Sequence, residues 1–176
     1  MWGEAAPGDA LEHACLRAAA GCDAGLVSYR LGGAEMQAAL VLVPEVPLAR
    51  AMTMLPLAAV GLHDALGALA PPELAVHLTW EGGIRVNGAA CGGFRAVAAT
   101  TDPQAVPDWL AVGFTLPLRP ATEETGTMPD RTWLMVEGCA DVEPEALIEA
   151  WARHTLNWLA RWEEEGPRPL HALWRG

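Results

Sequence analysis

Apolar and polar residues alternate with a period of two over residues 75–99, and this stretch carries the clearest secondary-structure signal in the chain. The alternation runs from Val76 to Trp80 and resumes after Gly82-Gly83, as is typical of half-buried β-strands. Asn87-Gly88 then provides a strong hairpin signal, because both residue types tolerate a positive φ. We therefore predict two antiparallel strands that turn at Asn87-Gly88.

The return strand contains adjacent glycines, Gly92 and Gly93, directly after Cys91. A glycine inside a strand loses conformational entropy and adds no packing, so it marks either a bulge or a place where something lies close to the backbone. Gly113, in the middle of a predicted strand over residues 109–118, carries the same two interpretations. One is purely structural, and the other is a ligand lying against bare backbone.

The remaining patterns predict a loose leader over residues 1–8, a helix over 9–20, strands over 25–31 and 36–43, and long helices over 48–69 and about 143–165. Asp9 and Glu12 resemble a capping box at the start of the first helix. Pro56 predicts a kink or two abutting helices within 48–69. Residues 117–129 read as a long irregular loop, and 131–136 as an apolar segment of undecided type.

The order of these elements predicts the fold class. About six strands arranged mainly as hairpins favour an α+β fold, with a mixed, mainly antiparallel sheet flanked by helices. We assign residues 1–166 to this single domain. Residues 167–176 read as the start of a C-terminal extension, and truncation of the chain there stays an open alternative.

Tryptophans Trp151, Trp158 and Trp162 share one face of the last long helix at helical spacing. Such a stripe is more often part of a core than a binding cradle, and we favour the core.

The charge balance excludes some function classes. The formal charge is −11, and all eleven basic residues are arginine, so the chain has no lysine. Nucleic acids and anionic membranes favour basic proteins, so neither is an expected partner. The N-terminus has no signal-peptide pattern and no apolar run reaches about 18 residues, which favours a cytoplasmic protein. The four cysteines show no metal-binding spacing, so we predict reduced thiols and no metal site.

With the hairpin and its flanks in place, the chain resembles the biotin/lipoate protein ligase superfamily. The matching segments are Thr79-Trp80-Glu81-Gly82-Gly83-Ile84, Val86-Asn87-Gly88, Cys91-Gly92-Gly93-Phe94, residues 111–116, Thr132-Trp133-Leu134 and Glu137-Gly138. Their order along the chain matches the family, and a branch of uncharacterised ligase-like proteins with an extra C-terminal domain looks most similar.

The resemblance implies a binding site for a carboxylic or acyl ligand. Its implied ligand-binding residues are Arg30, Trp80, Gly82, Gly83, Asn87, Gly88, Gly92, Gly93 and Gly113. Cys91 is a candidate nucleophile and His77 a candidate base, although a buried structural cysteine is the simpler interpretation.

Two departures from the family concern charge. The family places a lysine either at the first residue of the tryptophan motif or after the Asn-Gly turn; here those positions are Thr79 and Ala89/Ala90. Its Gly-Arg-rich loop is replaced by residues 30–35, where only Arg30 resembles a remnant. Loss of one positioned electrostatic stabiliser typically costs about 10²–10³ in rate.

We therefore expect a ligase-like protein that binds biotin, lipoate or octanoate, with weak or no adenylation of its own: a candidate pseudoenzyme. Its partners would be the small ligand and a lipoyl or biotinyl carrier domain or a catalytic partner. One alternative is an active ligase or acyltransferase that uses Cys91, or Arg30, Arg85 or Arg95 for phosphate, and ATP would be a cofactor only in that case. The other is a non-catalytic protein-interaction module.

Overall fold

A seven-stranded mixed sheet forms the centre of the computed structural model, which describes residues 1–120 and 130–174. The elements are β1 (Trp2–Ala5), α1 (Ala10–Ala19), β2 (Leu26–Leu31), β3 (Glu35–Leu42), α2 (Leu48–Ala51), α3 (Met54–Leu69), β4 (Val76–Leu78), β5 (Gly83–Val86), β6 (Ala89–Ala98), β7 (Leu110–Pro117), α4 (Pro144–Glu165) and α5 (Arg168–Trp174). The predicted α+β class with a mainly antiparallel, helix-flanked sheet is confirmed.

The strands lie in the order β1-β2-β3-β7-β6-β5-β4, and only β1 and β2 run parallel. Helix α1 packs on one face of the sheet, which we call the α1 face, over a small cluster that includes Leu26, Ala39 and Ala111. Helices α3 and α4 cover the opposite face, where most of the core lies. The two faces therefore differ greatly in how much of the sheet is covered.

Local capping fixes the first helix as predicted. The Asp9 carboxylate accepts a hydrogen bond from the Glu12 backbone N–H at 2.9 Å. Gly21 follows the helix with φ +84°, the left-handed conformation that favours glycine after a helix end.

The predicted loose leader over residues 1–8 is wrong. Trp2–Ala5 forms strand β1, which pairs with β2 at the edge of the sheet. The sheet therefore has seven strands rather than about six. A four-residue strand whose parallel partner lies more than twenty residues away leaves no local pattern for sequence reasoning to detect.

The apolar stretch Leu48–Leu69 forms two abutting helices, one of the two predicted outcomes. The break falls at Met52 and Thr53, so Pro56 lies in the first turn of α3, where its missing N–H leaves no helical bond unmade. By length and composition this stretch could cross a membrane, since an 18-residue window within it has a mean hydropathy of 1.4, yet 50% of that window is buried within the fold. A buried core helix passes the same test.

The tryptophan stripe of α4 packs in and around the core, as favoured above. Trp151 is fully buried, and its indole N–H donates to the Ala58 carbonyl oxygen at 2.9 Å. Trp158 is half-buried and donates to the Asp64 carboxylate at 2.8 Å. The stripe thus joins α4 to α3.

Residues 131–136 form turns rather than a strand or a helix, apart from a single β-bridge between Arg131 and Ala90. Most of the predicted long loop, residues 121–129, lies outside the described residues.

Candidate functional site

The α1 face of the sheet is uncovered beyond the N-terminus of α1. Helix α1 begins at Ala10, whose backbone N–H donates to the Gln37 side-chain oxygen at 3.0 Å. Beyond the end of the helix, three residues are paired across neighbouring strands: Gly83 of β5 pairs with Gly93 of β6, which pairs with Thr115 of β7. With two of these three positions lacking a side chain, the sheet surface there is concave and lined partly by backbone.

Two depressions meet at Thr115 on this face. The first, which we call the glycine depression, has a volume of about 370 Å³ and is lined by Thr79, Gly82, Gly83, Gly93, Arg95 and Thr115, among others. The second, the arginine depression, has a volume of about 490 Å³ and is lined by Ala90, Gly92, Thr115, Arg119, Arg131 and Trp133, among others. A narrow cleft beside Gln37 and Gly113 adjoins them.

Four of the predicted site glycines therefore lie in the two depressions: Gly82, Gly83, Gly92 and Gly93. The chain's own packing requires two of them, Gly82 and Gly92. A Cβ on Gly92 would lie 2.1 Å from the Thr115 carbonyl oxygen, and one on Gly82 would lie 2.9 Å from that of Phe94. Both residues have a positive φ, and the register shifts between Gly83 and Arg85, so a bulge is present.

Gly113 lies in a regular ladder, so the bulge, one of the two interpretations given for it above, is wrong. It pairs with Ala39 on one side and Arg95 on the other, and a Cβ would lie 2.7 Å from both the Ala38 carbonyl oxygen and the Ala39 Cβ. The neighbouring strand β3 therefore already explains this glycine, although Gly113 also borders the cleft beside Gln37.

Asn87 and Gly88 form the predicted hairpin turn, with φ values of +49° and +89°. The Asn87 amide donates to the Glu137 carboxylate at 2.7 Å, and its oxygen accepts from the Ala75 N–H at 3.0 Å. Neither turn residue lines either depression. Their role in the described structure is to hold the hairpin.

Trp80 lies in the β4–β5 connection with 74% of its surface exposed. It lines neither depression, so the structure does not bring it together with the glycines.

Arg30 is engaged by its own hairpin. Its guanidinium bonds to the Glu35 carboxylate and, at 3.4 Å, to the Gln37 side-chain oxygen. Its charge is therefore compensated across the β2–β3 turn. Of the other arginines predicted as alternatives, Arg85 donates to the Gly88 carbonyl oxygen, and Arg95 lies 3.5 Å from the Asp9 carboxylate while bordering the glycine depression.

The structure does not bring Cys91 and His77 together. Cys91 is fully buried in the core, where burial raises the pKa of its thiol to about 12, with Glu137 and Cys139 contributing. His77 is exposed on the edge strand β4, opposite Arg85. A protonated thiol without a neighbouring base is a poor nucleophile, which makes the structural interpretation of Cys91 the better one.

Sequence reasoning missed Gln37, Thr115, Arg119 and Arg131. Gln37 is the one polar side chain buried within the apolar strand β3, and Thr115 follows Gly113 at the strand period. Those two signals were present in the sequence. Arg119 and Arg131 had no such signal, because neither lies in a described helix or strand.

Two further observations concern metal binding and a second depression elsewhere on the protein. Among the residues that the structure describes, no group of three His, Cys, Asp or Glu side chains is arranged to hold a metal ion. A separate depression of about 390 Å³ lies between β1, β2 and α4, lined by residues such as Tyr29, Ile148 and Glu149. It opens on the opposite face and contains none of the predicted site residues.

Comparison with known proteins places this fold in context. The sequence model of the biotin/lipoate A/B protein ligase family matches residues 1–176. No curated protein matches the chain. Among solved structures, a biotin protein ligase-like protein of unknown function from Silicibacter sp. TM1040 is 55% identical, with a TM-score of 0.93; the match covers 100% of this chain and 77% of that one.

Two structures of biotin protein ligase from Aquifex aeolicus share the fold at low identity. One has a TM-score of 0.74 at 13% identity, covering 94% of this chain and 71% of that one. The other, in complex with biotin and ATP, has a TM-score of 0.67 at 15% identity, covering 94% and 72%.

Proposed function

The chain belongs to the biotin/lipoate A/B protein ligase family, and from that premise we propose that it binds a carboxylic or acyl ligand of the biotin, lipoate or octanoate class. The proposed position is the glycine depression on the α1 face. The observation that carries the proposal is that Gly83, Gly93 and Thr115 are paired on three neighbouring strands where helix α1 does not cover the sheet. The two missing side chains leave room for an apolar chain against the sheet.

Thr115 and Arg95 provide the polar groups at this position. Arg95 lies 3.5 Å from Asp9 and is itself largely exposed, so its guanidinium can also reach a ligand carboxylate. Thr115 lies where the two depressions meet, so a ligand that fills both must pass its side chain. We place the acyl body in the glycine depression and its carboxyl end near these two residues.

We further propose that the chain alone has weak or no adenylation activity. It has no lysine, and Arg30 is held by Glu35 and Gln37. ATP is then a substrate only if another cation replaces the missing charge. A lipoyl or biotinyl carrier domain, or a catalytic partner, is the proposed macromolecular partner.

Isothermal titration calorimetry with biotin, lipoate and octanoate tests the ligand class. The variant Thr115→Leu adds volume where the depressions meet, and we expect it to weaken binding at least about tenfold. Val97→Leu is the matched control, since Val97 lies on the same strand face outside both depressions and is 43% exposed. Absence of heat with all three acids would refute the proposed ligand class, and equal effects of both variants would refute the proposed position.

ATP–pyrophosphate exchange with each acid tests whether the chain alone adenylates a carboxylic acid. We expect no exchange above background from the chain alone. Exchange at a rate typical of adenylating enzymes would refute the statement that adenylation is weak.

A further inference from the structure

We propose that the free edge of strand β1 binds an extended, basic segment of another protein, which joins the sheet as an additional strand. The depression of about 390 Å³ between β1, β2 and α4, which we call the β1 depression, takes side chains of that partner segment. This surface lies on the opposite face of the sheet from the proposed ligand site, so the inference does not depend on the proposed function.

Strand β1 is the last strand at its end of the sheet and uses only half of its backbone groups there. The N–H groups of Trp2 and Ala6 donate to carbonyl oxygens on the β2 side, at 3.1 Å and 2.7 Å. Since backbone groups alternate in direction along a strand, those of Gly3 and Ala5 point away from β2. Within residues 1–120 and 130–174, no further strand pairs with β1. An exposed edge of this kind is a template for an added strand.

The β1 depression lies directly beside this edge. Its floor includes Val27, Tyr29 and Leu31, which alternate along β2 on the face that α4 covers, and α4 forms its wall. Gly3 keeps the β1 side open, because a Cβ there would already lie 3.3 Å from the Tyr29 ring. An added strand therefore runs along the opening of the depression, and every second side chain of that strand faces an apolar surface.

Two carboxylates give the β1 depression a preference for positive charge. Glu145 and Glu149 lie one turn apart on α4, line the depression and are exposed. Among the described residues, no ion pair involves either of them, although Arg153 lies one turn further along the helix. An arginine suits this arrangement, because its apolar stem covers the floor while its guanidinium reaches a carboxylate.

A second copy of the chain suits this edge less well than a basic segment does. Antiparallel pairing of two β1 strands would continue the sheet and place both α4 helices on the same face of it. The carboxylates of Glu145 and Glu149 from both copies would then lie around the junction, on two proteins that each carry a net charge of −11. These charges repel a second copy and attract a basic partner.

The test uses a peptide designed from this geometry, acetyl-Thr-Arg-Thr-Ile-Thr-Arg-Thr-amide. Its arginine and isoleucine side chains share one face of an extended strand. Two control peptides have the same length. One carries glutamate in place of both arginines, and the other is N-methylated at every residue, so that it keeps the side chains but lacks the backbone donors. Calorimetry at low ionic strength measures affinity, and proton–nitrogen NMR follows the backbone amides of the protein.

Three variants of the protein complete the test. The double variant Glu145→Gln, Glu149→Gln removes both charges from the β1 depression. Glu164→Gln is its matched control, because it removes one exposed charge near the other end of the same helix. Ala5→Pro removes an N–H that points away from β2, a change that edge strands tolerate, and its urea-unfolding midpoint checks that the fold is retained.

We expect the arginine peptide to bind, to shift the Gly3 and Ala5 amide signals and to slow their hydrogen exchange. The double glutamine variant should weaken binding about threefold to tenfold, and about 0.5 M salt should remove most of that difference. N-methylation of the peptide and Ala5→Pro should each weaken binding at least about threefold, because each removes hydrogen bonds of the added strand. Glu164→Gln should leave the affinity unchanged.

Four results would overturn the inference. Absence of heat and of amide shifts with the arginine peptide would refute binding at this edge. Equal affinity for the glutamate peptide would refute the preference for a basic segment, and equal affinity for the N-methylated peptide would refute strand addition. Slow exchange of Gly3 and Ala5 that increases with protein concentration, without any peptide, would assign the edge to a second copy of the chain.

Discussion

At Gly61 helix α3 lies close against Thr155 of α4, and replacing this glycine with alanine should separate the two helices. A Cβ at Gly61 would lie 2.4 Å from the Thr155 hydroxyl oxygen, 3.1 Å from the Thr155 backbone nitrogen and 3.2 Å from its Cα. The hydroxyl can rotate, but the backbone atoms cannot. Gly67, six residues further along α3, has nothing within 4 Å of the same added atom, so Gly67→Ala is a matched control.

Three effects determine the expected difference in the free energy of unfolding between the two variants. Alanine is about 1 kcal/mol better than glycine inside a helix, which favours both variants. At Gly61 overpacking adds a cost of roughly 1–3 kcal/mol. Separation of α3 from α4 would also lengthen the 2.9 Å bond from Trp151 to the Ala58 carbonyl oxygen, worth about 1 kcal/mol. We expect Gly61→Ala to be about 2–4 kcal/mol less stable than Gly67→Ala.

Urea unfolding, followed by tryptophan fluorescence and far-UV circular dichroism, measures the difference. A thermal scan should show a shift of about 2–4 °C per kcal/mol at this chain length. Thr155→Ala should partly rescue Gly61→Ala, because it removes the nearest atom and that hydroxyl has no hydrogen-bond partner among the described residues. If Gly61→Ala were as stable as Gly67→Ala, the close helix approach would be refuted.

Two further predictions concern the hairpin and its neighbours. Burial raises the pKa of Cys91 from 9.0 to about 12, so the folded state holds the thiol proton more tightly than the unfolded state does. The free energy of unfolding should therefore fall by roughly 1.4 kcal/mol per pH unit as the pH rises from 9 towards 12. In Cys91→Ala, denaturant unfolding measured across this pH range should show a smaller fall than in the parent chain. Glu137→Ala removes the hydrogen-bond partner of Asn87 and Thr132 and should lower the free energy of unfolding by about 1–3 kcal/mol, whereas Glu137→Gln should recover part of that loss. Urea unfolding of both variants measures this, and an unchanged midpoint for Glu137→Ala would contradict the stabilising role of these bonds.

Features set by local chemistry could be predicted from the sequence. The turn at Asn87-Gly88 depends on two residues that accept a positive φ, and both adopt it. The start of α1 depends on Asp9, whose carboxylate caps the helix as expected. In each case the residues that determine the structure lie within four positions of one another, so no knowledge of the remaining chain is needed.

Features set by distant parts of the chain could not be predicted. Strand β1 exists because β2 offers an edge, and the arginine depression exists because Ala34 and Ala90 hold two irregular segments beside each other. Neither pairing leaves a periodic pattern. The compensation of Arg30 is an intermediate case, since Glu35 lies on the other side of the short Gly32-Gly33 turn and was within reach of local reasoning.

The motif glycines of the hairpin lie at the proposed site, but their presence does not show that a ligand requires them. Gly92 would be required even without a ligand, because its Cβ would overlap the Thr115 carbonyl oxygen. Their presence is therefore weak support for binding, and the stronger support is the part of the sheet that α1 leaves uncovered. The same reasoning applies to charge. The lysine that the family resemblance implies, at the position of Thr79 or of Ala89/Ala90, is missing, yet the backbone of Arg131 forms a β-bridge with Ala90, beside one of those positions. The sequence motifs alone therefore overlook an arginine that the adjoining segment brings beside one of these positions.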